Sequence, residues 1–126
     1  FILCKVSFNK IYNNPKINNF KKPLMQGSLN EDKVMSMIEE YKEDPLFLKF
    51  KNTIVIGYLN DIYYVIDGQH RLEMAKRLYE NDNYINDYLV FCIYTCDSEM
   101  SIRKLFNSIN KDCQLAGAST ASCAVF

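Results

Sequence analysis

The sequence predicts a compact α+β domain with a mixed β-sheet and three main helices, and three observations carry that reading. Runs rich in β-branched and aromatic residues recur at 2–8, 52–58, 62–66 and 88–95. Three other stretches space their apolar residues as one face of a helix. Their order along the chain, β–α–β–β–α–β–α, is that of a small domain whose sheet is packed by helices.

The first strand is "ILCKVSF", which alternates well enough to lie half-buried, and "NKIYNNPKINNFKKP" after it reads as an Asn-, Pro- and Lys-rich loop. Val34, Met37, Ile38 and Tyr41 then fall at i, i+3, i+4 and i+7, predicting a helix over 30–43 that Pro45 ends. Ser28 with Glu31 resembles a capping box, and Asn30 competes as the cap. "NTIVIGY" and "IYYVI", separated by "LND", read as a hairpin. A second helix starts near Gln69, with Leu72, Ala75 and Tyr79 on one stripe and Met74 and Leu78 beside it. "NDNYIND" is a polar loop, and "YLVFCIYT" lacks alternation, as a strand buried on both faces does. Asp97 or Ser98 caps a last helix carrying Ile102, Leu105, Phe106 and Ile109. Residues 1–114 form the domain on this reading, and the small-residue stretch 115–126 is an unstructured or linker tail.

Composition narrows the function classes. At 126 residues the chain is one domain. It opens on Phe1 rather than Met, which reads as a fragment or a processed product, and its Asn, Lys, Ile and Tyr richness suggests an AT-rich genome. Fifteen basic and fifteen acidic residues leave no global field to attract nucleic acid. No apolar run approaches the ~20 residues of a membrane span, and "FILCKVSF" is too short for a signal peptide core. An intracellular location is expected, cytoplasmic or nuclear, or else in a viral factory or virion. The five cysteines lack framework or zinc spacing and His70 is the single histidine, so reduced buried thiols are expected rather than a metal site.

The stretch most in need of explanation is "YYVIDGQHRLEMAKRLYE" at 63–80. A strand ending at Ile66 and a helix opening near Gln69 would leave helical N–H groups unpaired at a positive dipole end. Gly68 permits a tight turn and a close approach. Arg71 can grip an anion bidentately, and His70 adds a donor or a proton acceptor. Together these make a phosphate cradle. The plain alternative is a capped structural turn with Asp67 as N-cap and Arg71 paired to Glu73 or another surface carboxylate. No GxxxxGK[ST] or GxGxxG occurs anywhere.

The motif and its context resemble the ParB/sulfiredoxin superfamily, in particular its DGQHR-type branch. "VSFNKIYNNP" is similar to that family's first strand and Asn-Pro loop, and "RKLFNSINKD" is similar to a segment following its next strand; about 110 residues are covered. The resemblance implies an α+β domain binding a nucleoside triphosphate, ATP or CTP, with Mg²⁺. Gly68, Gln69, His70 and Arg71 would hold the phosphates, with Asn107 or Asn110 assisting, and Asp67 would shape the turn. Asp67, His70 and Arg71 would carry any catalysis, as NTP hydrolysis or phosphoryl transfer, in DNA maintenance, modification or packaging. The family's acidic residue and arginine beside that asparagine are missing from "FNSINK". Gln69 stands where sulfiredoxins carry their catalytic Cys, so sulfiredoxin chemistry is not expected.

Two other readings stay open. One is a DNA-binding or nuclease module using Arg71 with Lys16, Lys21 and Lys22 on DNA phosphates. The other is a non-catalytic interaction domain; a homodimer is compatible with either. The tyrosines fit strand packing better than a stacking platform. Glu31/Asp32 and Glu39/Glu40 read as solvent charges, since adjacent helical positions do not converge.

Overall fold

The computed structural model describes residues 1–23, 26–82, 85–109, 121–122 and 126, with backbone alone at 49, 50, 121 and 122. Four strands build most of the sheet: β1 (Ile2–Ser7), β2 (Thr53–Leu59), β3 (Ile62–Asp67) and β4 (Tyr88–Thr95). β4 sits centrally, antiparallel to β1 and parallel to β2, and β2 pairs antiparallel with β3. The sheet is therefore mixed, as expected. The β2–β3 connection is a two-residue turn in which Asn60 and Asp61 both have positive φ, 49° and 64°. That conformation matches the twist of a hairpin, and Asn and Asp tolerate it better than other side chains.

The three longer helices are α3 (Glu31–Glu43), α5 (Gln69–Asn81) and α6 (Glu99–Ile109). Asn30 rather than Ser28 caps α3, its side chain accepting from the Lys33 N–H. Ser98 takes the corresponding role in α6, accepting from the Ser101 N–H.

One face of the sheet packs Val6, Ile54, Ile56, Val65, Phe91 and Ile93 against apolar residues of the helices before β4. The other face packs Val55, Leu59 and Ile66 against Ile102 and Ile109 of α6. Gly57 permits this second layer: a Cβ there would stand 2.6 Å from Ile102 Cδ1. β4 is buried along Leu89–Ile93, consistent with its lack of alternation.

The segment expected as loop after β1 is instead two short helices, α1 (Phe8–Asn13) and α2 (Pro15–Asn18). Ser7 caps the first, accepting from the Lys10 N–H, and Asn14 caps the second with Pro15 at its first position. Asn and Pro, read as breakers, act here as caps. Phe8, Ile11 and Ile17 among them are buried. A further turn of helix, α4 (Phe47–Phe50), follows Pro45. Three residues of the 115–126 stretch are described. Ala121–Ser122 form β5, parallel to β1, and the Phe126 ring packs against Phe20, Tyr63 and Phe91. Cys4 is disulfide-bonded, against the expectation of reduced thiols throughout, while Cys92 and Cys96 are free. Spacing alone does not reveal such a bond. Among the described residues no helix is long and apolar enough to cross a membrane.

Candidate functional site

β3 ends at Asp67, and Gly68 turns the chain into α5 with φ 102° and ψ 19°. A Cβ at Gly68 would meet Ile54 Cδ1 at 2.5 Å and Ile54 Cα at 3.3 Å. The close approach that glycine permits is thus to β2, a packing role, where the sequence reading left it open to a ligand. Among the described residues no side chain caps α5, and its first turn carries no acidic residue. The positive end of its dipole therefore has no carboxylate within that turn.

Arg71 turns toward the sheet. Its Nη1 donates to the Thr53 carbonyl at 2.7 Å and more weakly to that of Lys51 at 3.4 Å, while Nη2 pairs with Asp67 at 3.4 Å. The guanidinium ties the start of β2 to the end of β3. Asp67, expected as N-cap on the plain reading, is its partner, and Glu73 is not. Glu73 binds Arg77 instead, and Arg77 also grips Glu31 of α3 through two hydrogen bonds of 2.8 and 2.6 Å. Glu31, read from sequence as a solvent charge, is half of that clamp.

The next two motif side chains bind one segment. Gln69 Nε2 donates to the Gly27 carbonyl at 3.1 Å, and the Asn30 N–H donates to His70 Nε2 at 3.0 Å. An imidazole accepting at Nε2 is neutral and keeps its proton on Nδ1. Burial, then the charges of Lys33 and Lys22, hold His70 below the ordinary histidine range. Gln69 Oε1 and Gln26 Oε1 are buried without a hydrogen-bond partner among the described residues.

Beside this turn lies a cleft of about 110 Å³ with Phe20, Val65 and Leu72 among its apolar walls and Lys22, Gln69 and Lys76 among its polar ones. Lys21 brings the chain there by pairing with β3: its N–H donates to the Tyr63 carbonyl and its carbonyl accepts from the Val65 N–H. Burial lowers the Lys76 ammonium, Glu73 opposes that shift, and Lys22 adds to it. Lys22 and Lys33 thus act on His70 in the first turn of α5, and Lys76, about two turns further along that helix, lines the cleft with Lys22 and Gln69; of the nearby carboxylates, Asp67, Glu31 and Glu73 are engaged by arginines. Sequence reasoning considered Lys22 but missed Lys33 and Lys76. Gln69, Leu72 and Lys76 fall at i, i+3 and i+7, so helical spacing was a signal for the last.

Asn107 is exposed on α6, which packs on the opposite face of the sheet from α5. No hydrogen bond joins it to the turn among the described residues, and Asn110 lies outside them. Lys16 lies on α2. Among the described residues no three His, Cys, Asp or Glu side chains are grouped to hold a metal ion. Chemically, the arrangement can attract and orient an anion; it presents no activated nucleophile. No protein-family model and no curated protein matches this chain.

Proposed function

We propose that the chain is a ParB/sulfiredoxin-like domain of the DGQHR type that binds the phosphates of a nucleotide at the first turn of α5. The supporting observation is that Lys22 and Lys33 act on His70 in that first turn and that Lys22 and Lys76 line the cleft beside it, with Asp67 and Glu73 both engaged by arginines. Backbone N–H groups of Gln69, His70 and Arg71 orient the phosphates, and the lysines supply charge. Arg71 acts through position, holding the turn to β2. The described carboxylates do not fit a resident Mg²⁺, so magnesium belongs to this reading as the nucleotide's own counter-ion. The role is binding in a DNA maintenance, modification or packaging setting, and hydrolysis would need a base that the described turn does not supply.

Calorimetric titration of ATP, CTP, GTP and ADP with Mg²⁺ tests this in wild type and in the Lys22→Ala/Lys76→Ala pair. These substitutions leave Arg71 and its contacts with the sheet in place. Each lost charge-assisted hydrogen bond costs about 1.5–3 kcal/mol, so the pair should lose at least roughly 10- to 150-fold in affinity. Saturable binding weakened to that extent supports the reading. No binding of any nucleotide at near-millimolar protein rejects it.

A further inference from the structure

We propose that His70 is a proton-operated latch between the N-termini of α5 and α3. The Asn30 N–H points at Nε2 from 3.0 Å, so the bond exists only while that nitrogen carries no proton. Asn30 is also the N-cap of α3, its own side chain accepting from Lys33. The imidazole therefore joins one helix start directly to the residue that organises another. A second tether, Gln69 to the Gly27 carbonyl, has no titrating group. Loss of the histidine bond thus frees the Asn30 end while the Gly27 end stays attached.

The surroundings set the direction of the switch. Lys33 faces His70 from α3, and Lys22 faces it from the segment that follows α2. Of the carboxylates on the neighbouring elements, Glu31 of α3 and Glu73 of α5 pair with Arg77, and Asp67 at the end of β3 pairs with Arg71. Asp32, in the first turn of α3, forms no salt bridge among the described residues, and the charges that act on His70 are those of Lys33 and Lys22, neither of which welcomes an imidazolium. A proton taken from solvent at Nε2 turns the acceptor into a donor facing the Asn30 N–H, between two ammonium groups. The bond breaks, and the ring turns away from Asn30 carrying a positive charge. If phosphate binds at α5 as proposed above, that charge is added to the site, so acidification tightens the complex; this coupling rests on that function, while the latch itself does not.

The chain's single histidine makes the test direct. Nitrogen chemical shifts of His70 in the unliganded protein should report the Nδ1–H tautomer at neutral pH. As pH falls through the His70 titration, protection of the Asn30 amide against hydrogen exchange, corrected for its intrinsic rate, should drop by up to about tenfold per pH unit. His70→Gln, whose amide oxygen can accept the same N–H without titrating, should stay flat. An Nε2–H tautomer, or equal protection in wild type across the titration, overturns the latch. Inorganic pyrophosphate is the probe for the coupling, and its own protonation cancels between the two proteins. A steeper rise in affinity on acidification in wild type than in His70→Gln supports the coupling, and equal slopes overturn it. No binding of pyrophosphate at any pH removes the phosphate site and the coupling, leaving the latch to be decided by the unliganded measurements.

Discussion

Replacing Gly68 with Ala should destabilise the domain through the packing of the turn on β2. A non-glycine residue held at positive φ costs about 1–2 kcal/mol. The added methyl would press on Ile54 Cδ1 at 2.5 Å and on the Ile54 backbone at 3.3 Å, and such overpacking costs about 1–3 kcal/mol. The smaller entropy of the unfolded alanine chain returns about 0.4–1 kcal/mol. The net loss is roughly 1–4.5 kcal/mol, a large share of the 5–15 kcal/mol typical of a domain. Urea unfolding followed by circular dichroism measures it directly; with m about 1.5 kcal/mol/M, the midpoint falls by about 0.7–3 M. Ile54→Val removes the atom in closest contact, so in the Gly68→Ala background it should cost at least about 0.5 kcal/mol less than it does alone. A loss below about 1 kcal/mol at unchanged m, or independent effects of the two substitutions, would refute the claim that Gly68 is required by β2.

Three further outcomes follow from contacts already described. Arg71→Lys cannot reproduce the fork that spans Thr53 and Asp67 and should cost about 1–2 kcal/mol, read as a fall in Tm of several degrees. Tyr41→Phe removes the phenol that donates to Asp87 at 3.0 Å and should cost about 1 kcal/mol near neutral pH. Burial first, then the Asp87 contact, push that phenol up to about 12 from 10. The native state holds the proton more tightly, so its contribution is full below pH 10 and is lost as pH rises toward 12; urea midpoints in that window should fall more steeply for wild type than for Tyr41→Phe. Phe126→Ala should weaken the near-UV circular dichroism of the cluster of Phe20, Tyr63 and Phe91, since the Phe126 ring lies 5.3–5.6 Å from all three.

The long elements were legible because each carries its own period. The expected helix over 30–43 is Glu31–Glu43, and the hairpin turns at Asn60–Asp61. α1 and α2 were not legible because each holds only one or two buried residues, too few to reveal a period. β5 exists only as a partner of β1, a relation that two small residues do not announce. At the candidate site, the strand–glycine–helix turn was readable from 63–80, but the occupants of its side chains were not. Gln69 and His70 find Gly27 and Asn30, about forty positions earlier, and Arg71 finds a strand carbonyl at Thr53. Such pairings belong to tertiary structure, and no local pattern encodes them.

The central place of β4 has a consequence for how the chain is made. Ile2 and Ile93 face one another in register, 91 positions apart, and Thr53 of β2 meets Val90 of the same strand. At about 5–20 residues per second, the ribosome delivers the partner of β1 roughly 5–18 s after β1 itself. Until then β1 and the β2–β3 hairpin have emerged without the strand that joins them, and their edges are open to other nascent chains. Cotranslational capture by a holding chaperone should therefore end with the emergence of a single segment, Tyr88–Thr95.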